Sequence, residues 1–140
     1  MFIGEYSHTI DEKSRLAIPI KFRADLAGGA VVTKGLDGCL FLYTLTEWQK
    51  LVDKLNSTPI SQKSARAFSR LILAGAMEVG LDKQGRIILP KYLMDYANLN
   101  RAIIVAGLLS RIEIWDAKVW QEYKESTEKE SETLVEQLFI

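Results

Sequence analysis

The strongest constraint on the fold of this chain is an internal duplication. When the sequence is moved along itself by 71 positions, Asp11 falls on Asp82, and the residues that follow also superimpose: Arg15 on Arg86, and Pro19 on Pro90. With an offset of 72, residues 31–50 fall on residues 103–122. Matches in the same order over about 45 residues are typical of repeated structural units. We therefore predict two similar units, residues 1–74 and residues 75–140.

The first half of each unit predicts a strand, a tight turn and a second strand. Tyr6, His8 and Ile10 recur at every second position, as on one face of a strand. The aspartate that follows can close an Asx turn, and Gly85 in the second copy can adopt a positive φ without steric cost. The apolar segments RLAI and RIIL then predict the second strand.

Each unit continues with a short helix and a hairpin. Pro19 and Pro90 suit the first position of that helix, because the N–H that proline lacks would have no partner there. Two more strands are predicted around turns at residues 35–38 and 107–110.

Two longer helices complete each unit. The first is predicted to begin at Thr46 in one copy and at Asp116 in the other, as N-caps. The second covers residues 61–75, capped by Ser61, and is matched by the C-terminal segment SETLVEQLFI. Strands and helices in this order predict an α+β protein: two pseudo-symmetric units flanked by helices. Each unit is too small to bury its own core, so we expect one shared core.

The net charge of zero conceals an uneven distribution of charge. From Gln121 onward there are six acidic residues and two lysines. The remainder of the 140-residue chain therefore carries a net charge of about +4. A basic body with an acidic tail is compatible with a polyanionic partner, which the neutral total does not suggest.

The duplicated turn concentrates cations at one type of corner. The first copy offers Lys13, Arg15, Lys21 and Arg23, and the second offers Lys83, Arg86 and Lys91. If the two corners lie on the same side of the protein, their cations could bind neighbouring phosphates or a groove of a nucleic acid. The aspartate four residues before each arginine could organise the loop and fix the direction of the guanidinium. The alternative is a pair of ordinary surface ion pairs of little energetic value.

The remaining composition argues against other functional classes. One histidine, His8, and one cysteine, Cys39, leave no set of zinc ligands and no nucleophile with a partner base. We expect Cys39 to be a free thiol at the surface or at a sheet edge, and we expect no metal or other cofactor. There is neither a signal-peptide pattern nor an apolar run of membrane-spanning length, so we expect a soluble cytoplasmic protein without membrane contact.

The paired segments D-x-K-x-R-L-x-I-P and D-x-x-G-R-I-x-L-P, with the opening M-x-x-G-x-Y-x-x-x-x-D, resemble the MraZ family of bacterial transcriptional regulators. This resemblance covers most of the chain. It implies two AbrB-like units of the swapped-hairpin, double-psi-like small β-barrel type. It also implies a nucleoid-associated protein that assembles into ring-like homo-oligomers. Such proteins bind double-stranded DNA at promoter repeats upstream of division and cell-wall genes, where they are expected to repress transcription.

The family's Asp-x-x-x-Arg signature maps onto Asp11 and Arg15 in the first copy and onto Asp82 and Arg86 in the second. Both arginines are therefore candidates for reading base edges, because a guanidinium can bond O6 and N7 of guanine together. The other cations of the corners and following helices are candidates for phosphate contacts. Ser14 stands where the second copy has Gly85, so the two loops need not share one geometry.

Two other functions are weighed against DNA binding. An antitoxin-like or purely oligomeric interaction module would use the same fold without sequence-specific DNA contacts. The apolar C-terminal residues, Leu134, Val135, Leu138, Phe139 and Ile140, would suit such contacts between subunits. A small enzyme is disfavoured, because the repeat places no convergent pair of acid–base groups.

Overall fold

The computed structural model describes residues 1–139, which form eight strands and six helices. The first unit contains β1 (Phe2–Thr9), β2 (Arg15–Ala17), α1 (Ile20–Leu26), β3 (Ala30–Lys34), β4 (Leu40–Thr44), α2 (Leu45–Asn56) and α3 (Lys63–Ala74). The second unit repeats this order with β5 (Met77–Val79), β6 (Arg86–Ile88), α4 (Lys91–Tyr96), β7 (Ala102–Leu109), β8 (Arg111–Asp116), α5 (Ala117–Lys129) and α6 (Ser131–Phe139).

The two units are interleaved by an exchange of strands. Six strands form one antiparallel sheet in the order β1-β7-β8-β4-β3-β5, while β2 pairs with β6 in a separate ribbon. Each unit thus donates its first strand to the other, since β1 pairs with β7 and β5 pairs with β3. Equivalent residues meet where Phe41 faces Glu113 and where Leu16 faces Ile87. A pseudo-twofold axis passes through both pairs, and the predicted α+β fold of two pseudo-symmetric units is confirmed.

The main core lies between one face of the sheet and a layer made of the ribbon, α1 and α4. Side chains alternate between the two faces of a strand. The inward residues of the ribbon, Leu16 and Ile87, are therefore at most 1% exposed and belong to a core built from both units. Full burial of such a side chain contributes about 1.5–3 kcal/mol. The predicted core shared by both units is confirmed in this main core.

A second, smaller core covers the opposite face of the sheet, where α2 and α5 pack. It includes Cys39, Tyr43 and Trp115, and Trp48 and Trp120 from the two helices pack against it. Cys39 is fully buried, so the expectation of a thiol at the surface or a sheet edge was wrong. The reason is that Cys39 directly precedes β4, which lies in the middle of the sheet, and packs within this second core. Burial raises the pKa of the Cys39 thiol far above its usual range.

The observed helix ends correct two predicted caps. The N-cap of α2 is Thr44 and not Thr46, because the strand ends at Thr44 and its Oγ1 accepts a hydrogen bond from Glu47 N at 3.1 Å. Asp116 caps α5 as predicted. Ser61 does not cap α3, which begins after Gln62 with no side-chain cap hydrogen bond.

The second hairpin and the two prolines also deviate slightly from prediction. β7 continues through Gly107 to Leu109, whose φ is 61°, so this hairpin turns later than expected. Pro19 and Pro90 are N-cap residues, each one position before its helix.

The last helices of the two units are packed differently. Ile72 of α3 is fully buried, and its carbonyl accepts a 2.6 Å hydrogen bond from Thr33 Oγ1 on β3. In α6 none of the residues Ser131–Phe139 is buried. Ile140, which was predicted to take part in apolar contacts between subunits, lies outside the described residues.

No helix within residues 1–139 combines the length and hydrophobicity that crossing a membrane requires.

Candidate nucleic-acid interface

The β2–β6 ribbon brings the two duplicated turns together. Arg15 lies opposite Ile88 and Ala17 opposite Arg86, on either side of the buried Leu16–Ile87 pair. Because Leu16 and Ile87 point into the core, both arginines lie on the outward face of the ribbon. We call residues 11–15 corner 1 and residues 82–86 corner 2.

Corner 1 is organised by the carboxylate of Asp11. Its Oδ1 accepts hydrogen bonds from the backbone N–H groups of Lys13 and Arg15 at 2.9 and 3.0 Å. Its Oδ2 accepts one from Arg15 Nε at 2.6 Å. The backbone closes the turn through Ser14 N to Asp11 O at 3.0 Å and Asp11 N to Arg15 O at 3.0 Å. One aspartate therefore fixes both the loop and the guanidinium that leaves it.

Corner 2 has the same arrangement around Asp82. Its Oδ1 accepts from the N–H groups of Gln84 and Arg86, each at 2.9 Å, and its Oδ2 accepts from Arg86 Nε at 2.8 Å. Gly85 has a φ of 74°, and Ser14, at the equivalent position in corner 1, has a φ of 61°. Both corners thus adopt one geometry, although a serine replaces the glycine in corner 1.

These hydrogen bonds keep both aspartates ionised. The pKa values of Asp11 and Asp82 are lowered, first by the backbone N–H of the following arginine and then by its side chain. A carboxylate with a lowered pKa in the folded state stabilises that state above the pKa of the unfolded chain. That contribution is lost only as the pH falls through the lowered pKa, so both corners are intact at neutral pH.

The side chains of Arg15 and Arg86 are held at Nε and remain partly exposed. Within residues 1–139, the side-chain hydrogen bonds of Arg15 and Arg86 are donated by Nε alone. The side chains are 29% and 26% exposed. Arg86 Nη1 also lies 4.0 Å from Asp11 Oδ2, so the two corners are in electrostatic contact across the pseudo-twofold axis. The arrangement presents two oriented guanidinium groups side by side.

The predicted lysines surround this pair of arginines. Lys13 and Lys83 are exposed on the turns, and Lys21 is exposed in the first turn of α1. Lys91, at the start of α4, pairs with Asp95 at 2.8 Å but is 84% exposed. An exposed ion pair of this kind is weak, so Lys91 can leave Asp95 to contact a phosphate.

Arg23 differs from the other predicted cations. Its Nε donates to the carbonyl of Ile18 at 2.7 Å, and the side chain is half-buried. A Cβ added to Gly85 would overlap the Arg23 side chain, so Arg23 packs directly over corner 2. Arg23 therefore joins α1 of the first unit to the corner of the second, besides carrying a charge near it.

Arg101 is a cation of the site that sequence reasoning missed. It is exposed, its carbonyl accepts the N–H of Ile10 at 2.9 Å, and it lines a depression beside corner 1 that includes Asp11 and Ser14. Its equivalent at an offset of 72 is Gly29, so the repeat gave no signal for it. Only the exchange of β1, which places Ile10 beside the start of β7, reveals its position.

No group of three potential metal-ligating side chains occurs in the part of the chain that the structure describes. His8 is half-buried on β1, and burial, followed by the charge of Arg23, lowers its pKa. The chemistry that this surface offers is charge and hydrogen-bond donation to a polyanion.

Comparison with known proteins identifies similar chains of slightly greater length. A family model described as "MraZ protein", with an antitoxin-like designation, matches residues 1–71 and again residues 72–139. A protein of Caldanaerobacter subterraneus subsp. tengcongensis is 48% identical over 138 residues, which cover 99% of this chain and 96% of that relative. A protein of Clostridium acetobutylicum is 51% identical over 127 residues, covering 91% and 89%. A protein of Thermoanaerobacter pseudethanolicus is 47% identical over 138 residues, covering 99% and 96%. All three relatives carry the name "Transcriptional regulator MraZ".

Proposed function

Because this chain belongs to the MraZ family of transcriptional regulators, we propose that it binds double-stranded DNA at specific promoter repeats through corners 1 and 2. The observation that carries this proposal is the pair of equivalent arginines on one ribbon. Each is fixed at Nε by its own aspartate, and its terminal nitrogens donate no hydrogen bond within residues 1–139. A fixed guanidinium loses little conformational entropy when it binds a planar acceptor pair.

The ribbon supplies the sequence-reading part of this mechanism. The major groove of B-DNA admits a two-stranded β-ribbon, and Arg15 and Arg86 would each bond O6 and N7 of a guanine there. Ile88, which is 64% exposed on the same outward face, is suited to contact a thymine methyl group. The aspartates do not touch DNA in this scheme; they orient the arginines.

The surrounding lysines supply affinity without sequence preference. Lys13, Lys21, Lys83 and Lys91 would neutralise phosphates, and Arg101 adds a fifth cation beside corner 1. Arg23 is assigned mainly to holding corner 2, with a secondary phosphate contact. Asp11, Asp82 and Gly85 keep the loop-organising role predicted for them.

Assembly of several copies would convert weak contacts into stable binding. One chain offers few phosphate contacts, whereas a ring-like homo-oligomer on repeated boxes gains from effective concentration. Bound upstream of division and cell-wall genes, such an assembly would repress transcription by excluding RNA polymerase. This role places the protein in the cytoplasm at the nucleoid, and residues 1–74 and 75–140 would each contribute one corner.

Selection of bound sequences from random DNA tests the proposal, together with a footprint on the DNA upstream of the protein's own gene. We expect one short box to be enriched and the footprint to cover tandem copies of it. Replacing Lys13 by alanine should weaken binding to all sequences alike and reduce the salt dependence by about one unit of slope. Recovery of no preferred sequence would overturn the proposal.

A second function is favoured by one observation. The family description includes an antitoxin-like designation, and α6 exposes apolar residues that a protein partner could cover. An interaction module would show partner binding with no enriched DNA box, so the same selection separates the two functions.

A further inference from the structure

An apolar groove lies between α2 and α3, on the first unit. It encloses about 440 Å³ and is lined by small and apolar side chains: Val52, Leu55, Ile60, Ala65, Ser69 and Leu73. Ile60 is 83% exposed and Leu73 is 42% exposed. Contiguous exposed apolar residues in a concave surface are typical of an interaction site.

The groove is bordered by positive charge. Arg66 and Arg70 line it one helical turn apart, and the segment Lys63–Ala74 contains no acidic residue. Arg66 Nη1 donates to the carbonyls of Ile60 and Ser61 at 3.0 and 3.2 Å, which holds the loop that forms one wall. Arg70 is exposed, and within residues 1–139 its side chain makes no hydrogen bond or ion pair. The groove therefore combines an apolar floor with a cation, Arg70, whose side chain has no partner within residues 1–139.

Helix α6 has the complementary pattern. Val135, Leu138 and Phe139 are 55%, 75% and 80% exposed and fall on one side of the helix. Glu132 and Glu136, one turn apart, border this apolar stripe, and Ser131–Phe139 contains no basic residue. The acidic residues thus have the same i, i+4 spacing as the two arginines of the groove.

We propose that α6 of one copy docks in the α2–α3 groove of a second copy. Docking would remove the apolar stripe and the groove floor from water together. Glu136 would then pair with Arg70, and Glu132 would lie near Arg66. Complementary charge fixes the register of such contacts. A second copy is favoured over another protein because the apolar stripe, the charge signs and the charge spacing all match within this one sequence.

This contact joins two different surfaces, so it repeats from copy to copy. A head-to-tail contact of this kind produces a closed ring when its rotation closes and a filament when it does not. The proposal rests on the assembly included in the proposed function and names the two surfaces that form it. Both surfaces are made of residues other than those of corners 1 and 2.

Charge reversal followed by mixing tests this contact. We expect Arg70→Glu and Glu136→Arg each to raise the dissociation constant of the assembly by about tenfold or more, since each places like charges together. The double variant should restore assembly. An equimolar mixture of the two single variants should also restore it, because each groove then meets a complementary tail. Molar mass is measured by light scattering across a concentration series without DNA.

Two further variants complete the design. Lys118→Glu makes the same change of charge at an exposed position on α5 outside the groove, and it should leave the molar mass unchanged. Leu138→Asp places a charge within the apolar stripe and should dissociate the assembly without unfolding the chain, because none of the residues of α6 is buried. Circular dichroism verifies folding of each variant.

Three outcomes would overturn the proposal. The first is a monomeric wild type, which would leave the groove to a different protein. The second is an unchanged molar mass in both charge variants. The third is restoration by the double variant but not by the mixture, which would place the contact within one chain.

Binding to one DNA box separates this proposal from the proposed function. Dissociated Arg70→Glu protein should retain its affinity for a single box and lose its preference for tandem boxes. Assembly as described without sequence-specific binding would refute the DNA function alone. DNA binding with no effect of the charge variants on assembly would refute the docking contact alone.

Discussion

Corner 1 and corner 2 share their backbone hydrogen bonds but differ at their three middle positions and in their surroundings. Ser14 and Gly85 occupy equivalent left-handed positions, with φ values of 61° and 74°. Arg23 packs over Gly85, whereas Met94, the equivalent of Arg23, lies with Ser14 around an open depression. The aspartate therefore determines the geometry of the turn, because that geometry survives the loss of the glycine. Neighbouring side chains decide which residues each turn tolerates.

Replacing Gly85 by alanine should have the largest effect on stability. The change combines a left-handed alanine, which costs about 1–2 kcal/mol, with an overlap between the new Cβ and Arg23. Moving Arg23 away breaks its hydrogen bond to the carbonyl of Ile18, which costs about 0.5–1.5 kcal/mol more. Urea denaturation measures the loss. Ser14→Ala is the matched control, and a change within about 0.5 kcal/mol is expected there because a side chain is already accommodated. Equal losses at both positions would contradict the proposed difference in packing.

The two aspartates should differ in their effect on DNA affinity. Asp11 accepts from Arg15 and lies 4.0 Å from Arg86, whereas Asp82 pairs, within residues 1–139, with Arg86 alone. Asparagine can still accept the backbone N–H groups but removes the charge that holds Nε. We expect Asp11→Asn to weaken binding to the selected box by about tenfold and Asp82→Asn by about threefold, from the loss of charge-assisted hydrogen bonds. Fluorescence anisotropy at fixed salt measures both, and the reverse order would show that the corners are not coupled through Asp11.

The smallest expected effect is on the pH dependence of stability, through a residue of the first strand of the first unit. His8 and Val79 are equivalent positions, and the pKa of His8 is lowered by burial and then by Arg23. The unfolded chain therefore binds a proton at a higher pH than the folded chain does. Stability should fall as the pH drops below the usual pKa of histidine, about 6.5. His8→Val should flatten the dependence of the urea midpoint on pH between about 7 and 5. If the urea midpoint of His8→Val still depends on pH in this range, groups other than His8 cause the dependence.

The geometry of the two corners could be predicted from the sequence because its determinants are local and occur twice. Asp11 and Arg15, with their equivalents, lie within five residues, so turn chemistry alone places them. Leu16 and Ile87 were expected in strands, and their burial follows from the alternation of side chains. Thr44 was missed as a cap because Thr46 fits the same pattern, and only the end of β4 distinguishes them.

Contacts between the two units could not be predicted in the same way. Arg23 over Gly85, Arg101 beside corner 1 and the burial of Cys39 all depend on how the units exchange strands and cover both faces of the sheet. No local pattern carries that information, because each contact joins residues that lie far apart along the chain.

Sequence reading by the two corners is tested by comparing their arginines with the lysines beside them. The affinity of the Arg15→Ala/Arg86→Ala variant is measured for the selected box and for unrelated DNA at one salt concentration. The Lys13→Ala/Lys83→Ala variant is the matched control. The arginine variant should lose about 1–3 kcal/mol of discrimination between the two DNAs per arginine. The lysine variant should weaken binding to both DNAs equally. An arginine variant with an unchanged ratio of specific to non-specific affinity would contradict the central claim that the two corners read DNA sequence.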